Sequence, residues 1–318
     1  MNNENLLKIA KILDGAHDIA VYCHTNPDGD TIACALSLYH ALVERGKNVD
    51  LFCDGEIPEK YAFLQGSELF RLPEKGVHEV GIAVDCSDLE RLGGASRSFL
   101  TSKKRIAVDH HKSHHPFAEV YCVDTNAAAC AEIVFELLDS MNAVDDVCAE
   151  LLFSGIVADS GCFQYPSTTA HTHTVAARLL QHDFDAADIV YRVHRKLSPA
   201  VFALKQRVLG RCRYFSEGKT AIITFFADDF AATGTKSADT EGIIASVIDI
   251  DGVEVAFAVS EVGDKNFKVS VRTKSYVDAS DLASVFGGGG HERAAGCRLN
   301  GFYEDVVDKL VKAANDRL

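Results

Sequence analysis

Residues 18–45, DIAVYCHTNPDGDTIACALSLYHALVER, contain a strand pattern, a polar turn and a helix pattern in direct succession. The apolar run at 19–23 is typical of a short buried strand, and 31–45 has the apolar spacing of a helix that ends before a glycine. The turn between them contains three ligand-type side chains, namely His24, Asp28 and Asp30. This turn is therefore either ordinary polar turn chemistry or one part of a metal site.

The same succession of strand and helix continues through the first half of the chain. Further strand patterns lie at 48–53, 80–84, 105–108 and 118–123, and further helix patterns at 130–141 and 145–158. Short strands that are apolar on both faces and alternate with helices predict an α/β fold, a parallel sheet with helices on both faces. In such sheets, ligands bind beyond the carboxyl ends of the strands.

The second half begins with helices and then returns to strands. Helix patterns without strands occupy 171–210, and we place a helical linker at 186–210. Strand patterns then follow at 219–226, 253–261 and 267–273, with a helix pattern at 303–318. The sequence thus predicts a first domain at 1–185, the linker, and a smaller mixed α/β domain at 211–318.

Composition and charge limit the function. The chain has 318 residues, a formal charge of −14 and ten cysteines without a CxxC pair. Long duplex nucleic acid is held by neutralising its phosphates, so an acidic chain is poorly suited to it, whereas a short nucleotide needs only a few local cations. No apolar run is long enough for a membrane span, and no signal-peptide pattern is present. Single cysteines in apolar runs are typical of a reducing compartment, so we expect a cytoplasmic protein.

Ligand-type side chains recur at the ends of other apolar runs. They are Asp85 after VGIAV, Asp109, His110 and His111 after RIAV, and Asp159 at the end of LLFSGIVAD. We take these runs to end at one edge of one sheet, where the side chains would meet those of the first turn. Each aspartate also has an ordinary interpretation: Asp28 and Asp30 as turn formers, and Asp85 and Asp159 as helix caps. Two histidines and four aspartates at one edge exceed what turns and caps require.

The chemistry of this set points to metal ions. Carboxylate and imidazole ligands without thiolate suit Mn²⁺ or Mg²⁺ better than structural zinc. Six ligands are too many for one ion that keeps open positions, but they suit two ions that share a carboxylate. Two such ions can activate water and polarise a phosphoryl group, which predicts a phosphoester hydrolase.

Four ordered motifs resemble those of the DHH phosphoesterases, a family that includes the RecJ exonucleases. The motifs are HTNPDGD at 24–30, VDCSD at 84–88, DHH at 109–111 and GIVADSGCF at 155–163. The segment 269–297, VSVRTKSYVDASDLASVFGGGGHERAAGC, resembles the DHH-associated domain of that family. The resemblance spans essentially the whole chain, and the chain is most similar to the nanoRNase/pAp phosphatase branch, the bifunctional oligoribonucleases.

The resemblance implies roles for the residues of these motifs. One Mn²⁺ would be held by His24, Asp28 and Asp85, and a second by Asp30, Asp85, His110 and Asp159, with Asp85 bridging; Mg²⁺ or Co²⁺ are the alternatives. His111 would face the scissile phosphate. Asp109 would orient the histidines of the DHH triplet, as carboxylates behind metal ligands often do.

The resemblance also implies substrate-binding residues in the second domain. Arg272 and His291 would contact phosphate, and the backbone of Gly287, Gly288, Gly289 and Gly290 would approach the nucleotide closely. An arginine can form a bidentate contact with phosphate, and glycine allows backbone N–H groups to reach an anion. We also expect a helix to begin after the glycines and to favour the anion through its dipole.

The chain departs from its relatives in two places. Ala33 and Cys34 follow Ile32 where relatives commonly have Gly-Ser, which we interpret as a change in helix packing, and Gln164 lies where many have an arginine near the substrate. For Tyr165, packing is favoured over stacking on a base. The histidines His114, His115, His171 and His173 are interpreted as loop or helix-start residues.

The sequence as a whole predicts a Mn²⁺-dependent phosphodiesterase and exonuclease of short oligoribonucleotides, of dinucleotides such as pApA, or of pAp. A cyclic-di-AMP phosphodiesterase is the alternative within the same chemistry. A non-catalytic nucleotide-binding sensor is the alternative outside it, and it would be expected to lack some ligands. Homodimer formation is a further expectation.

Overall fold

A computed structural model describes residues 3–73, 76–240 and 242–318. The chain divides into two compact units, Met1–Lys196 and Leu197–Leu318. This division falls inside the segment 186–210 that the sequence predicts as a linker. The predicted division into 1–185, linker and 211–318 stays a prediction.

The first unit alternates strands and helices, as its apolar pattern predicts. Its elements are α1 (Asn3–Gly15), β1 (Asp18–Tyr22), α2 (Gly29–Glu44), β2 (Asn48–Phe52), β3 (Val80–Val84), α3 (Ser96–Thr101), β4 (Lys104–Asp109), β5 (Val120–Val123), α4 (Cys130–Ser140), α5 (Asp146–Asp159), α6 (Ala170–Leu179) and α7 (Ala186–Val190), which continues as a π-helical turn (Tyr191–Arg195). None of the described helices is both long and apolar enough to cross a membrane.

The five strands of the first unit form one parallel sheet in the order β2-β1-β3-β4-β5. Val21 of β1 packs in a cluster with α1, α2, α4 and α5, whereas its neighbour Tyr22 packs on the opposite face against Phe99 of α3. Because successive side chains of a strand point to opposite faces, helices cover the sheet on both sides. The predicted α/β class is confirmed.

The second unit is smaller and mixed, as predicted. Its elements are α8 (Pro199–Leu209), β6 (Arg213–Phe215), β7 (Thr220–Phe225), α9 (Ala227–Thr233), α10 (Ala245–Ile248), β8 (Val255–Gly263), β9 (Asn266–Thr273), α11 (Ala279–Ser284), β10 (Gly289–His291), β11 (Ala294–Asn300) and α12 (Tyr303–Asn315). The strand order is β10-β11-β9-β8-β7-β6, with only β7 and β8 parallel. Phe257 packs with α11 and α12 on one face, and Ala256 with α8 and α10 on the other.

The sequence did not predict β6, β10 or β11. The segment that forms β11, AAGCRLN, lacks β-branched and aromatic residues, and β10 contains two of the four consecutive glycines. Such segments have low strand propensity, so their pairing is imposed by the neighbouring strand β9 rather than by local sequence.

Candidate metal centre and its surroundings

The turn after β1 is both a helix cap and part of a cluster of ligand-type side chains. Asp28 precedes α2, and its Oδ1 accepts hydrogen bonds from the backbone N–H groups of Asp30 (3.1 Å) and Thr31 (3.2 Å). Its other oxygen, Oδ2, lies 3.8 Å from Nε2 of His24. The two interpretations of this turn are therefore compatible, because one carboxylate oxygen caps the helix and the other faces the cluster.

His24 presents one ring nitrogen to carboxylates. Its Nδ1 donates to the carbonyl of Thr25 at 2.8 Å, which fixes the orientation of the ring. Its Nε2 is buried without a hydrogen-bond partner among the described residues, and lies 3.6 Å from Oδ2 of Asp85. A metal-ligating histidine is typically held in this way, with the second nitrogen bonded to a carbonyl.

Asp85 lies at the centre of the cluster. It follows β3 directly with φ of +54°, a backbone conformation that is uncommon outside glycine, and its N–H donates to the carbonyl of Val108 in β4 at 2.8 Å. The carboxylate is 2 % exposed, with Oδ2 facing His24 and Oδ1 lying 3.4 Å from Nε2 of His110. Oδ1 has no hydrogen-bond partner in the described chain. Asp85 thus faces both histidines, as a bridging ligand would.

His110 and Asp159 form the second half of the cluster. Nδ1 of His110 donates to the carbonyl of Ala127 at 3.1 Å, and Nε2 lies 3.4 Å from Oδ2 of Asp159. Asp159 is the last residue of α5, so it reaches the cluster from the end of a helix. The helix predicted at 145–158 is therefore present, and the ordinary interpretation of Asp159 as a helix N-cap was wrong because Asp159 ends this helix. The run LLFSGIVA is buried almost throughout.

Asp30 is held by the start of α4. Its Oδ2 accepts from the N–H of Cys130 at 2.5 Å, and its Oδ1 accepts from the N–H of Ala131 at 3.0 Å. One oxygen of Asp30 also lies within 4.8 Å of the ligand atoms of His110 and Asp159. The thiol of Cys34 donates to Oδ1 at 3.5 Å. Cys34 therefore contacts a candidate ligand, which the interpretation as helix packing missed.

Close packing of α2 against α5 brings these residues together. A Cβ on Gly29 would lie 2.6 Å from Cβ of Ala158, and a Cβ on Gly155 would lie 2.9 Å from Oδ1 of Asp30. Since real Cβ atoms do not approach so closely, both positions require glycine. The close approach carries Asp159 at the end of α5 toward Asp30 near the start of α2.

The donor set fits divalent cations. The six side chains predicted as ligands form two groups of ligand distance, and Asp85 of the first group also lies 3.4 Å from His110 of the second. The groups are His24, Asp28 and Asp85, and Asp30, His110 and Asp159. Burial and neighbouring carboxylates raise the pKa of the carboxyl groups of Asp28 and Asp30, and that of Asp159 to about 7. Crowded buried carboxylates repel one another unless a cation or protons balance them. Oxygen and imidazole donors without thiolate are suited to Mn²⁺ or Mg²⁺.

Asp109 accepts hydrogen bonds from two histidines, of which only His111 belongs to the DHH triplet, since His110 is held by the carbonyl of Ala127 instead. Its Oδ1 accepts from Nδ1 of His111, and its Oδ2 from Nδ1 of His114, both at 2.7 Å. Burial by itself would raise the pKa of Asp109, but these two hydrogen bonds hold it well below its usual range. His111 is partly exposed beside the cluster, with Nδ1 3.6 Å from Oδ1 of Asp85. The sequence singled out His111 but not His114, whose role arises from a contact across a turn that no motif spacing reveals.

In the second unit, Arg272 and His291 lie on one face of the sheet. Arg272 of β9 pairs with Ala294 of β11, which pairs with His291 of β10. Because directly paired residues project to the same face, the two side chains are separated by two strand spacings, roughly 10 Å. His291 is exposed and Arg272 is partly buried. The structure thus places these predicted phosphate contacts on the same face of the sheet.

The glycine tract has a different context from the one expected. No helix begins after it; α11 ends before it, and the tract leads into the hairpin of β10 and β11. The expected helix dipole is therefore absent, because the preceding helix would present its negative end. A Cβ on Gly288 would lie 2.2 Å from the carbonyl of Gly296, and one on Gly290 2.5 Å from that of Ala294, so β11 itself requires these two glycines. Gly289 has open space around its α-carbon.

Comparisons with known proteins agree with the two units. Residues 18–156 match the family described as DHH family, N-terminal domain, and residues 218–318 match the DHHA1 domain. The chain is 28 % identical to the bifunctional oligoribonuclease and PAP phosphatase NrnA of Thermus thermophilus, over 99 % of this chain and 95 % of that protein. It is 25 % identical to the protein of the same name from Bacillus subtilis, over 92 % of each chain.

A solved structure shares the fold. The exopolyphosphatase-related protein from Bacteroides fragilis superposes with a TM-score of 0.91 at 24 % identity, covering 99 % of this chain and 96 % of the other. At this level of identity the similarity bears on the fold alone.

Proposed function

The chain belongs to the DHH family and carries a DHHA1 domain, and from this premise we propose that it is a hydrolase of short oligoribonucleotides, of dinucleotides such as pApA, and of pAp. The observation that carries the proposal is the cluster around Asp85, in which His24 Nε2 and Asp85 Oδ1 are buried without hydrogen-bond partners in the described chain. Buried polar atoms are nearly always satisfied, so these two call for a ligand.

The metal-binding residues follow from this cluster. We propose that His24, Asp28 and Asp85 hold one ion, and that Asp30, Asp85, His110 and Asp159 hold the other. When bound, two divalent cations would activate water and neutralise charge on the phosphoryl group. Mn²⁺ is the proposed metal because imidazole lies among the oxygen donors, with Mg²⁺ and Co²⁺ as the competitors to be tested.

Other side chains would orient the ligands and the substrate. The carbonyls of Thr25 and Ala127 fix the rings of His24 and His110, so that each Nε2 faces the carboxylates. Asp109 holds the ring of His111 through Nδ1, which leaves Nε2 for the scissile phosphate. A fixed donor near the phosphate would stabilise the charge that develops on it during hydrolysis.

The substrate class rests on the relatives and on the second unit. Two relatives similar over most of their length are named oligoribonuclease and PAP phosphatase. Arg272 and His291 on one sheet face would contact the phosphate of a short nucleotide, and the net charge of −14 disfavours long duplexes. We expect Arg272→Ala to raise KM for pApA far more than it weakens metal binding. Equal effects on both would contradict its assignment to substrate.

The alternative substrate is cyclic di-AMP, which the same metal chemistry could hydrolyse. The purified, metal-loaded protein should be assayed side by side with pApA, pAp and cyclic di-AMP, each with Mn²⁺, Mg²⁺ and Co²⁺. We expect pApA or pAp to be hydrolysed with the highest kcat/KM. Faster turnover of cyclic di-AMP would overturn the substrate assignment, and no turnover of any of the three would favour a nucleotide-binding sensor.

The ten cysteines are free, which supports a reducing compartment, and we propose the cytoplasm as the location. Homodimer formation stays a prediction that analytical ultracentrifugation would test.

A further inference from the structure

The chain makes a left-handed turn directly after Asp159. Gly161, Cys162 and Phe163 have φ of +58°, +57° and +65°. Cys162 and Phe163 are not glycine, and this backbone conformation lowers the folding stability by about 1 kcal/mol or more for each of them. Contacts in the surroundings must offset this cost. A turn of this cost two residues beyond a candidate metal ligand needs a reason.

The turn is held by defined contacts. The Oγ of Ser160 accepts from the N–H of Phe163 at 2.9 Å, and the N–H of Cys162 donates to the carbonyl of Val157 at 2.8 Å. The ring of Phe163 stacks on His173 with centroids 5.2 Å apart and planes 20° apart, which anchors this side of the turn. The geometry is therefore fixed by the first unit rather than adjustable.

The turn presents Tyr165 to solvent. The N–H of Tyr165 donates to the carbonyl of Ser160 at 3.0 Å, and its ring lies against the α-carbon of Gly161, where a Cβ would come within 2.5 Å of it. The side chain is nevertheless 56 % exposed. Its hydroxyl has no hydrogen-bond partner within the described ranges, so the residue is held by its backbone and by the contact of its ring with Gly161 alone.

An aromatic ring that is supported on one side and exposed on the other suits a stacking partner. Every nucleobase has a flat π-face, and base–aromatic stacking stabilises single-stranded nucleic acid by about 1–3 kcal/mol per base. Such stacking tolerates any base sequence. The N–H of Tyr165 bonds the carbonyl of Ser160, the residue after Asp159, so the ring is attached to the backbone beside the candidate metal cluster.

We infer that Tyr165 is a substrate-binding residue that stacks on a nucleobase of the short oligonucleotide held at the metal cluster. This inference rests on the proposed function, because it assumes a nucleotide substrate. It replaces the packing interpretation of Tyr165 drawn from the sequence. It also gives the strained turn a role, since Gly161, the first of its left-handed residues, lies against the ring.

Fluorescence tests the inference without relying on catalysis. The chain has no tryptophan, so Tyr165→Trp would introduce a single indole reporter. AMP and ribose 5-phosphate differ only in the base, and AMP is not a substrate of the proposed reaction. In the Mn²⁺-loaded protein, we expect AMP to quench the indole and ribose 5-phosphate to leave it unchanged. Leu7→Trp, on an exposed position of α1 that carries no cluster residue, is the matched control and should respond to neither.

Steady-state kinetics is an independent second test, and it can be carried out even if the Tyr165→Trp protein fails to fold. Tyr165→Ala should raise KM for pApA by about tenfold with kcat within about twofold, and Tyr165→Phe should restore the wild-type KM. Unchanged KM in Tyr165→Ala, or equal responses of the indole to AMP and ribose 5-phosphate, would overturn the inference. Quenching by AMP without hydrolysis of pApA would instead contradict the proposed function and leave the stacking in place.

Discussion

His114 donates a 2.7 Å hydrogen bond from Nδ1 to Oδ2 of Asp109, and this bond completes the pairing of a fully buried carboxylate. The other oxygen of Asp109 orients His111. A carboxylate bonded on both sides cannot rotate, so the ring of His111 is held through Asp109 by a residue outside the DHH triplet. His114 is in this sense a positioning residue.

We therefore expect His114→Ala to reduce kcat for pApA by about 10–100-fold, the usual cost of losing a partner behind a metal site. Its free energy of unfolding should fall by about 1–3 kcal/mol because a buried oxygen loses its donor. His114→Asn is the matched control, since its amide nitrogen can take the place of Nδ1 and should restore most of the activity. Wild-type kcat in His114→Ala would show that Asp109 needs only His111.

Metal binding should stabilise the protein through Asp85. Cations that bind the folded state alone contribute about 2.7 kcal/mol at 100 times their Kd, so Mn²⁺ should raise Tm in the wild type. Asp85→Asn should abolish this rise and lower kcat/KM by more than about 100-fold, because both halves of the cluster lose a ligand. Calorimetry and the bound metal stoichiometry would check both. Asp139→Asn, on the exposed side of α4, should behave like the wild type, and a Mn²⁺-dependent Tm in Asp85→Asn would exclude the bridging role.

Without metal, the free energy of unfolding should decrease as the pH rises, whereas a buried ion pair usually makes a protein more stable as the pH rises from acid. Burial, together with the carboxylates of Asp85 and Asp28, raises the pKa of Asp159 from 3.8 to about 7. A group whose pKa is raised by folding contributes stability below its unfolded value and loses it as the pH rises through the folded value. Stability should therefore decline between about pH 4 and pH 7, while affinity for Mn²⁺ rises over the same window because the ligand must be deprotonated.

Denaturant unfolding in EDTA at several pH values would measure this. Asp159→Asn should make the decline shallower, since the amide does not titrate, and the remaining decline would come from Asp28 and Asp30, whose pKa values are also raised. Asp109 acts in the opposite direction, because its pKa is lowered, and its contribution should be lost only at acid pH below about 4. Metal-free stability that stays constant or increases from pH 4 to pH 7 would contradict the raised pKa of Asp159.

The sequence alone predicts that ligand-type residues meet where these residues directly follow the strands of the parallel sheet. His24, Asp85 and His110 follow parallel strands, and parallel strands end at one edge, so their meeting could be inferred from the pattern alone. The strand-end argument does not extend to Asp159, which the predicted helix at 145–158 carries and which reaches the cluster from the end of α5. The approach of α5 depends on Gly155 lying against α2, a contact between distant segments that single-sequence periodicity does not contain.

In the second unit, too, a contact between separate segments could not be predicted from the local sequence. The tract at 287–290 looks like a flexible or anion-binding loop, and its sequence gives no sign of strand β10. Only the close approach of Gly288 and Gly290 to β11 shows that two of the glycines are required for packing. The sequence therefore assigned one role to four residues whose physical situations differ.

This difference yields the last prediction. A Cβ at Gly289 would meet no atom of the described residues within 4 Å, so Gly289→Ala should leave the free energy of unfolding unchanged or raise it by about 0.4–1 kcal/mol. If the nucleotide approaches the backbone there, the same substitution should raise KM for pApA severalfold with little change in kcat. Gly288→Ala should instead destabilise the second unit, because its Cβ would clash with the backbone of β11. Steady-state kinetics with thermal unfolding of both variants separates the two effects, and an unchanged KM in Gly289→Ala would exclude a close nucleotide contact at that position.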